Sequence, residues 1–364
     1  MHVIISGGGV SGLATALALH QRGIKFDLYE RSFEALTAGM GFVLVRQGAQ
    51  ALNQFGLSPN DLNAGQALRR FVLHKAHGEV KYTQILGEGT LGIRRKDLLS
   101  AMLRHLPGAS VHFSEAVEHY IRDKRGDFVA AELTSGKRLK ADVFIAADGV
   151  RSVARQHVDA NWQAHDARVF ELVGMVRSSK LRQQLGQEFH KYQHPHGGLA
   201  FGMLPVDEHT LVWYLQFDKQ RFAPPSNVPL EKHLFLQEAV GKWAKPIPDI
   251  LAQTNFDQVH LWRPINADPL QRFFHRNLAL VGDAAHPLLP FTSQGVSSAV
   301  GDAECLGGAL AQVASGNSTL DTALSYYSDT RYQACLPFVE QGRQLTDGFL
   351  SHQLQDQCQL PIAK

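Results

Sequence analysis

Apolar positions near the start of the chain come as an unbroken run, Val3 to Ile5, carried on by Ser6 and closed by Gly7, Gly8 and Gly9. Such a run, bounded by glycine, predicts a short strand with both faces buried. The stretch that follows, "VSGLATALALHQRG", is apolar on nearly every side and predicts a buried helix. A second strand, "KFDLYE", ends on Glu30. The regular alternation of strand and helix then stops. "GMGFVLVRQGAQALNQFGL" predicts a glycine-rich strand and a helix from about Gln47 to Phe55. "LRRFVLHKAHGEVKYTQIL" alternates about a His77-Gly78 turn and predicts a β-hairpin. A hairpin has no place inside a parallel sheet, so it marks an excursion into a second unit.

In "LGIRRKDLLSAMLRHL", Leu98, Leu99, Met102, Leu103 and Leu106 recur at helical spacing. Arg94 just ahead of them is expected as a solvated helix start. Two strands are expected around the Arg125 to Asp127 turn. Val143 to Ala146 is another apolar run; it ends on Asp148-Gly149, with a helix start expected near Ser152. Between about Val169 and Arg263 the pattern has period two. Leu211, Trp213, Leu215 and Phe217 share one face of a strand, and Val212, Tyr214 and Gln216 the other. One face must pack on core, and the other is free to roof a pocket. A final apolar run, Leu278 to Val281, stops at Gly282-Asp283, and helix is expected from about Leu320.

Composition changes this picture little. The chain has 364 residues, 44% hydrophobic and 19% charged, with a net charge of +2. That length suits two domains. The charge is too small, and its basic residues too scattered, for a nucleic-acid partner. Cys305, Cys335 and Cys358 are an odd number without C-x-x-C spacing. They fit a reducing compartment and argue against a disulfide frame or zinc site. No apolar run approaches the ~18 residues of a membrane span, and no leader pattern opens the sequence. A cytoplasmic protein with no integral membrane segment is expected, as monomer or homodimer.

The candidate chemistry lies at three strand ends. Gly7, Gly9 and Gly12 match G-x-G-x-x-G between a strand and a helix. In that motif one glycine makes the turn, one admits a pyrophosphate against the backbone, and one lets helix pack on strand. The amides of Val10 and Ser11 open the helix, whose N-terminus favours phosphate. Glu30 lies where an acid holds a ribose 2′-hydroxyl, which predicts the adenosine of FAD or NAD and disfavours a 2′-phosphate. Asp148-Gly149 and Gly282-Asp283 repeat the theme of an apolar strand ending beside Asp and Gly. Either aspartate alone reads equally well as a helix N-cap. With the glycine turn, the three endings predict one long ligand across the carboxyl ends of a sheet. His190, His194 and His196 have metal-ligand types, but Pro195 and Gly197-Gly198 mark a loop and no acid or cysteine sits at fitting spacing. No metal is expected. His286 lacks a serine elbow for a nucleophile relay and is expected as a structural part of its loop.

These motifs, in this order, resemble the group A FAD-dependent aromatic hydroxylases, flavoprotein monooxygenases of the p-hydroxybenzoate hydroxylase fold. "GGGVSG" with Glu30-Arg31, "RRKDLLSAML", "AADGVRSVAR" and "GDAAHPLLPFTSQG" carry the resemblance, over residues 1 to about 330. It implies an α/β fold: a Rossmann-like FAD-binding domain split in sequence, an inserted, mostly antiparallel β-sheet substrate domain, and C-terminal helices. The expected divisions are 1–70, 91–168 and 262–330 for the FAD domain, 71–90 and 169–261 for the substrate domain, and 331–364 for the C-terminal segment. The implied cofactor contacts are Gly7, Gly9, Val10, Ser11, Gly12, Glu30, Arg31, Arg95, Asp148, Gly149, Gly282, Asp283, Pro290, Gly295, Val296 and Ser297.

Within that resemblance Asp283 accepts from a ribityl hydroxyl, and Ala284 and Ala285 let a helix start close to the flavin. The amides of Gly295 to Ser297 face the ring's pyrimidine edge, where a helix N-terminus stabilises negative charge. Pro290 and Phe291 form a stiff wall. The implied reaction uses NADH or NADPH as a transient reductant of tightly bound, non-covalent FAD. O₂ then forms a C4a-hydroperoxide, which passes one oxygen to a small, aromatic substrate. Arg46, Gln47, Tyr214, Arg263, Pro290 and Phe291 are the substrate-pocket candidates; no acid–base pair stands out. For Arg46 and Arg263 a surface ion pair reads equally well, and for Tyr214 core packing does. Three departures from the family pattern are visible. Ser293 and Ser297 stand where Gly and Asn are usual, and Gly301 replaces an acid before Asp302. Two alternatives remain: a same-fold flavin reductase or cyclase acting on an isoprenoid-like substrate, and a non-catalytic dinucleotide-binding protein. A same-fold halogenase is disfavoured, because Trp162, Trp213, Trp243 and Trp262 form no W-x-W.

Overall fold

A computed structural model describes residues 1–33 and 40–351. Cys358 and the expected C-terminal stretch 352–364 lie outside them. Among the described residues a six-stranded sheet runs in the order Phe274–His275, Leu278–Leu280, Val143–Ala146, His2–Ser6, Lys25–Glu30, Val111–Phe113. All neighbours are parallel except the first two. The run His2–Ser6 is central, with Val3, Ile4 and Ile5 all but sealed from solvent, as an unbroken apolar run requires. Ser6 pairs with Ala146 and Tyr29, and Ala146 with Leu280, so these strands end level on one edge. That edge is where an open parallel sheet receives ligands.

A seven-stranded sheet runs His260–Trp262, Val169–Arg177, Thr210–Asp218, Leu199–Pro205, Glu188–Gln193, Arg70–Lys75, Val80–Ile85. It is antiparallel except between Glu188–Gln193 and Arg70–Lys75. Trp213, Leu211, Leu215 and Phe217 point to one face, where the helices Pro229–Val240 and Ile247–Gln253 cover them. Val212 and Tyr214 point to the other, against Val43 and Val45. A small sheet, Gly41–Leu44, Leu91–Arg94, Gln66–Ala67, lies on that second face. It leads directly into the helices Arg46–Gln54 and Arg95–Arg104.

Three local expectations differ. After Val143–Ala146 the chain makes a 3₁₀ turn, Gly149–Arg151, and its helix is only Arg155–Val158. Asp148 Oδ2 accepts from the Val153 amide at 2.9 Å, which ties down the segment where a helix near Ser152 was expected. No helix begins at Ala284-Ala285 either. Two 3₁₀ turns, Gly282–Ala284 and Pro290–Thr292, precede the helix Gly295–Ala314, because Pro287 and Pro290 have no N–H to continue a ladder. Arg94 is not solvated: it holds Asp97 at 2.6 Å and Asp207 at 3.1 Å. The second contact joins the small sheet to the tip of the Leu199–Pro205 hairpin. The last helix, Leu320–Leu350, runs unbroken past residue 331 with Pro337 inside it, capped by Thr319. Among the described residues no helix is long and apolar enough to cross a membrane.

Candidate functional site

The three strand ends meet. Gly7 has a φ of 103°, and an added Cβ would strike the carbonyl oxygen of Ala147, just before Asp148. Gly282 has a φ of 60°, and its added Cβ would strike Ser11 Oγ on the first helix. Both positions need a residue without a side chain, for conformation and for space. The glycine turn therefore touches the Asp-Gly corner on one side and the Gly-Asp corner on the other.

Arg155 locks the two later corners together. Its Nε donates to the Ala284 carbonyl and one terminal nitrogen to the Asp283 carbonyl, both at 2.8 Å. The guanidinium also donates to the carbonyls of Val150 at 2.8 Å and Gly149 at 3.2 Å. The indole of Trp162 stacks on it at 4.0 Å. Only the fixed fork of an arginine satisfies four carbonyls on two segments at once. The sequence places Arg155 in register with its motif without revealing this span of about 130 residues.

Behind the Gly-Asp corner lies a second support. Asp302, fully buried, accepts from the Gly282 amide at 2.7 Å, from His286 Nε2 at 2.6 Å and from Arg331 Nε at 2.7 Å. Burial works against the His286 cation, but the Asp302 carboxylate overrides it and holds the imidazole well above its ordinary value. His286 is thus a structural part of the loop, bound to a carboxylate that the sequence did not single out. His286, Asp302 and Cys335 lie within 4.8 Å of one another and are of metal-ligating types. The Arg331 guanidinium on Asp302 takes the place a cation would need. An added Cβ at Gly301 would lie 3.0 Å from that guanidinium, which accounts for the missing acid. Ser293 adopts a φ of 53°, so the position conventionally held by glycine is left-handed here as well.

At the first corner Glu30 is buried, accepting from the Gly8 amide at 2.6 Å and the Ser32 amide at 3.1 Å. Arg31, next to it, is exposed. Arg95 reaches over the glycine turn, its guanidinium 3.7 Å from where a Cβ at Gly9 would stand. Burial lowers its pKa and the nearby Glu30 charge opposes that. The first helix bond runs from Leu13 to Gly9 at 3.0 Å, and the equivalent bond of Gly295–Ala314 from Ser298 to Gln294 at 2.8 Å. The amides of Val10, Ser11 and Gly12, and of Gly295, Val296 and Ser297, therefore have no acceptor within their own helices.

These corners suit an extended dinucleotide. Gln294 Oε1 and Ser297 Oγ are buried without a hydrogen-bond partner, and Asp148 Oδ1 and Ser152 Oγ have none beyond each other. Orphaned polar atoms gathered at two corners, beside two helix N-termini with free amides, fit a ligand with phosphates and hydroxyls. Asp283 is exposed beside them, and burial raises the Asp148 carboxyl above its usual range.

The substrate-side candidates separate. Gly48, the third residue of the helix Arg46–Gln54, has no room for a side chain: Ser297 Oγ would lie 2.9 Å from an added Cβ. Arg46 and Gln47, just before it, are exposed, and the Arg46 side chain lies over Gly87 and Gly89, 3.6 Å from an added Cβ at either. Pro290 and Phe291 are half-buried. Tyr214 lies over Gly202, whose added Cβ would run into its ring, and packs near Phe189, with ring centroids 6.1 Å apart. Arg263 goes elsewhere. It is exposed, with its guanidinium 5.9 Å from Phe170, on the sheet face opposite Tyr214. His190 pairs with His74 at 3.0 Å and Glu188 at 3.2 Å, so its ring nitrogens serve the sheet.

Residues 1–340 match the family model described as an FAD binding domain. Monooxygenase 1 of Arabidopsis thaliana is 26% identical over 321 residues, covering 85% of this chain and 78% of its own. The 3-amino-4-hydroxybenzoate 2-monooxygenase PtmB3 of Streptomyces platensis is 27% identical, covering 90% of this chain and 83% of its own. The crystal structure of Klebsiella pneumoniae HpxO with FAD and uric acid has a TM-score of 0.86 at 24% identity, covering 98% of this chain and 90% of its own. With its level strand ends, its paired helix N-termini and this match over most of its length, the chain belongs to the FAD-binding-domain family, as an FAD-dependent monooxygenase.

Proposed function

We propose that this protein inserts one oxygen atom from O₂ into a small aromatic substrate, with NADH or NADPH as reductant. The observation that carries the reading is the meeting of two aromatic side chains, one from the cofactor loop and one from the sheet. Phe291, from the loop after the Gly-Asp corner, and Tyr214, from the seven-stranded sheet, both lie within 6 Å of one amine, the Nζ of Lys191. Aromatic side chains where the cofactor loop meets the sheet suit an aromatic substrate. The name of the Streptomyces relative points to an aromatic substrate there, in agreement with this.

FAD, when bound, supplies the redox chemistry: it takes electrons from the nicotinamide and activates oxygen. The chain's own residues bind, orient and exclude water. Glu30 and Arg95 would hold the adenosine end, and the free amides of Val10, Ser11 and Gly12 the pyrophosphate. Asp148 and Asp283 would accept from its hydroxyls. The amides of Gly295, Val296 and Ser297 would donate to the ring edge and favour negative charge there. Pro290 and Phe291 would wall off water on the substrate side, keeping activated oxygen from being wasted.

The test is NAD(P)H oxidation by the flavin-loaded protein with a panel of phenols, benzoates and quinolones, with O₂ uptake and hydrogen peroxide followed together. Stimulated oxidation and O₂ uptake without matching peroxide are expected for a true substrate. NAD(P)H oxidation without O₂ uptake would replace this reading with a reductase; a flat response across the panel would remove the aromatic substrate.

A further inference from the structure

The sheet face that carries Tyr214 also carries a buried polar row. Glu171 and Gln216 are directly opposed, and Gln216 Nε2 donates to Glu171 Oε1 at 2.7 Å. Lys191 stands two strands away and reaches across the strand between, where Ala200 and Gly202 leave room. Its Nζ donates to Gln216 Oε1 at 2.6 Å. Glu171, Lys191 and Gln216 are 5%, 9% and 4% exposed. The amide of Gln216 thus stands between a buried carboxyl and a buried amine that do not touch.

An ammonium has three donors. Among the described residues Lys191 uses one. Three aromatic faces lie near it, with centroids of Phe291, Phe349 and Tyr214 at 5.4, 5.7 and 5.9 Å. Those faces soften the cost of a buried cation without using its donors. As pure scaffolding the arrangement is poor: an apolar side chain of similar volume costs less to bury than a half-satisfied charge pair. The expense is understandable if the spare donors meet a ligand. Phe291 belongs to the loop between the Gly-Asp corner and the helix Gly295–Ala314, so the amine looks onto the substrate side of the site.

We propose that Lys191 selects the substrate by donating to an acidic oxygen, carboxylate or phenolate, on the aromatic ring. The proposal rests on the oxygenase reading above and narrows its substrate class. Gln216 and Glu171 are positioning residues: the first aims the amine, the second supplies the counter-charge when no ligand is bound. The electrostatics agree. Burial pulls the Lys191 amine down to about 8 against the Glu171 charge. Burial also pushes the Glu171 carboxyl up to about 7 against the Gln216 hydrogen bond and the lysine charge. An arriving anion favours the ammonium, and Glu171 can take up a proton as its counter-charge is drawn away.

The experiment is anaerobic titration of the FAD-loaded protein, read by the flavin difference spectrum. The probes are isosteric pairs: benzoate against benzamide, and 4-hydroxybenzoate against 4-hydroxybenzamide. The wild-type protein is expected to prefer the carboxylates by about tenfold or more, the low end for a charge-assisted hydrogen bond. Lys191→Met should erase the preference and leave amide binding within about threefold. Lys191→Arg should keep part of it. If Lys191→Met does not retain FAD, Lys191→Gln serves as the second variant. Equal binding of both members of each pair by the wild type, no response to any of them, or an unchanged preference in the variant overturns the proposal. No turnover is involved. A protein that fails the oxygen-uptake test yet prefers carboxylates through Lys191 refutes only the oxygenase reading.

Discussion

Arg155→Met tests whether one guanidinium holds two corners of the cofactor site together. The arginine is 5% exposed, and its partners are the carbonyls of Gly149, Val150, Asp283 and Ala284. Methionine fills much of the same volume but donates nothing. The Gly149 carbonyl keeps a second bond, from the Ser152 amide at 3.0 Å. The other three lose their side-chain donor, Ala284 in a buried setting and Val150 and Asp283 in partly buried ones, at about 1 kcal/mol each, and the stack on Trp162 adds about 0.5–1 kcal/mol. The sum is about 4 kcal/mol, reduced by whatever the cation regains in leaving a buried site. At about 2 °C per kcal/mol for a chain somewhat above the calibrated sizes, the apoprotein Tm should fall by about 6–8 °C. FAD should bind at least about tenfold more weakly, because part of its binding free energy must now close the corners. The assay is thermal unfolding of the FAD-free protein beside a fluorescence titration with FAD. Arg155→Lys should lie between, since a point charge cannot span four carbonyls. A variant with wild-type FAD affinity and a Tm within about 1 °C of wild type would refute the reasoning, at a precision well inside the expected shift.

Two further predictions follow from the same corner. Gly282→Ala places a Cβ against Ser11 Oγ at a φ of 60° and should yield protein that purifies without flavin absorbance; full flavin content would show that the corner can shift freely. Asp302→Asn tests the His286 pair by stability against pH. The folded His286 pKa lies above its ordinary 6.5, so its contribution is complete below that value and is lost as pH rises through the raised one. Asp302 is lowered from 3.8: burial opposes its charge, but His286 and Arg331 prevail, so its share is lost only as pH falls through the lowered value. Wild-type Tm should therefore decline on the alkaline side, and Asp302→Asn should be less stable at neutral pH with a flatter alkaline decline. Parallel profiles would show that the pair does not titrate with folding.

Legibility differed by distance along the chain. The apolar runs at Val3 to Ile5 and Val143 to Ala146 need no partner to be recognised, because a strand buried on both faces is apolar throughout. The alternation at 211–217 likewise announces which side chains share a face, and Trp213 and Tyr214 do fall on opposite sides. The helix start near Ser152 was misplaced because Arg155 and Asp148 spend their hydrogen bonds on loop carbonyls and amides, a choice no propensity records. Arg94 looked like a solvated helix start because Asp207, its second partner, is over a hundred residues away. In sequence Arg263 and Tyr214 both suit one pocket; the sheet's pleat puts them on opposite faces.

The three corners, their glycines and acids, and the dinucleotide chemistry they imply are legible in the chain alone. Each is a short-range demand: a turn that admits only glycine, a strand that must end, a helix whose first amides are free. Tertiary structure alone decided what joins them. The Arg155 clamp, the Asp302 support and the Lys191 row link residues 16 to 129 positions apart through buried or partly buried polar contacts. Such contacts are paid for by the packing of whole sheets and helices, so they are written in no local pattern.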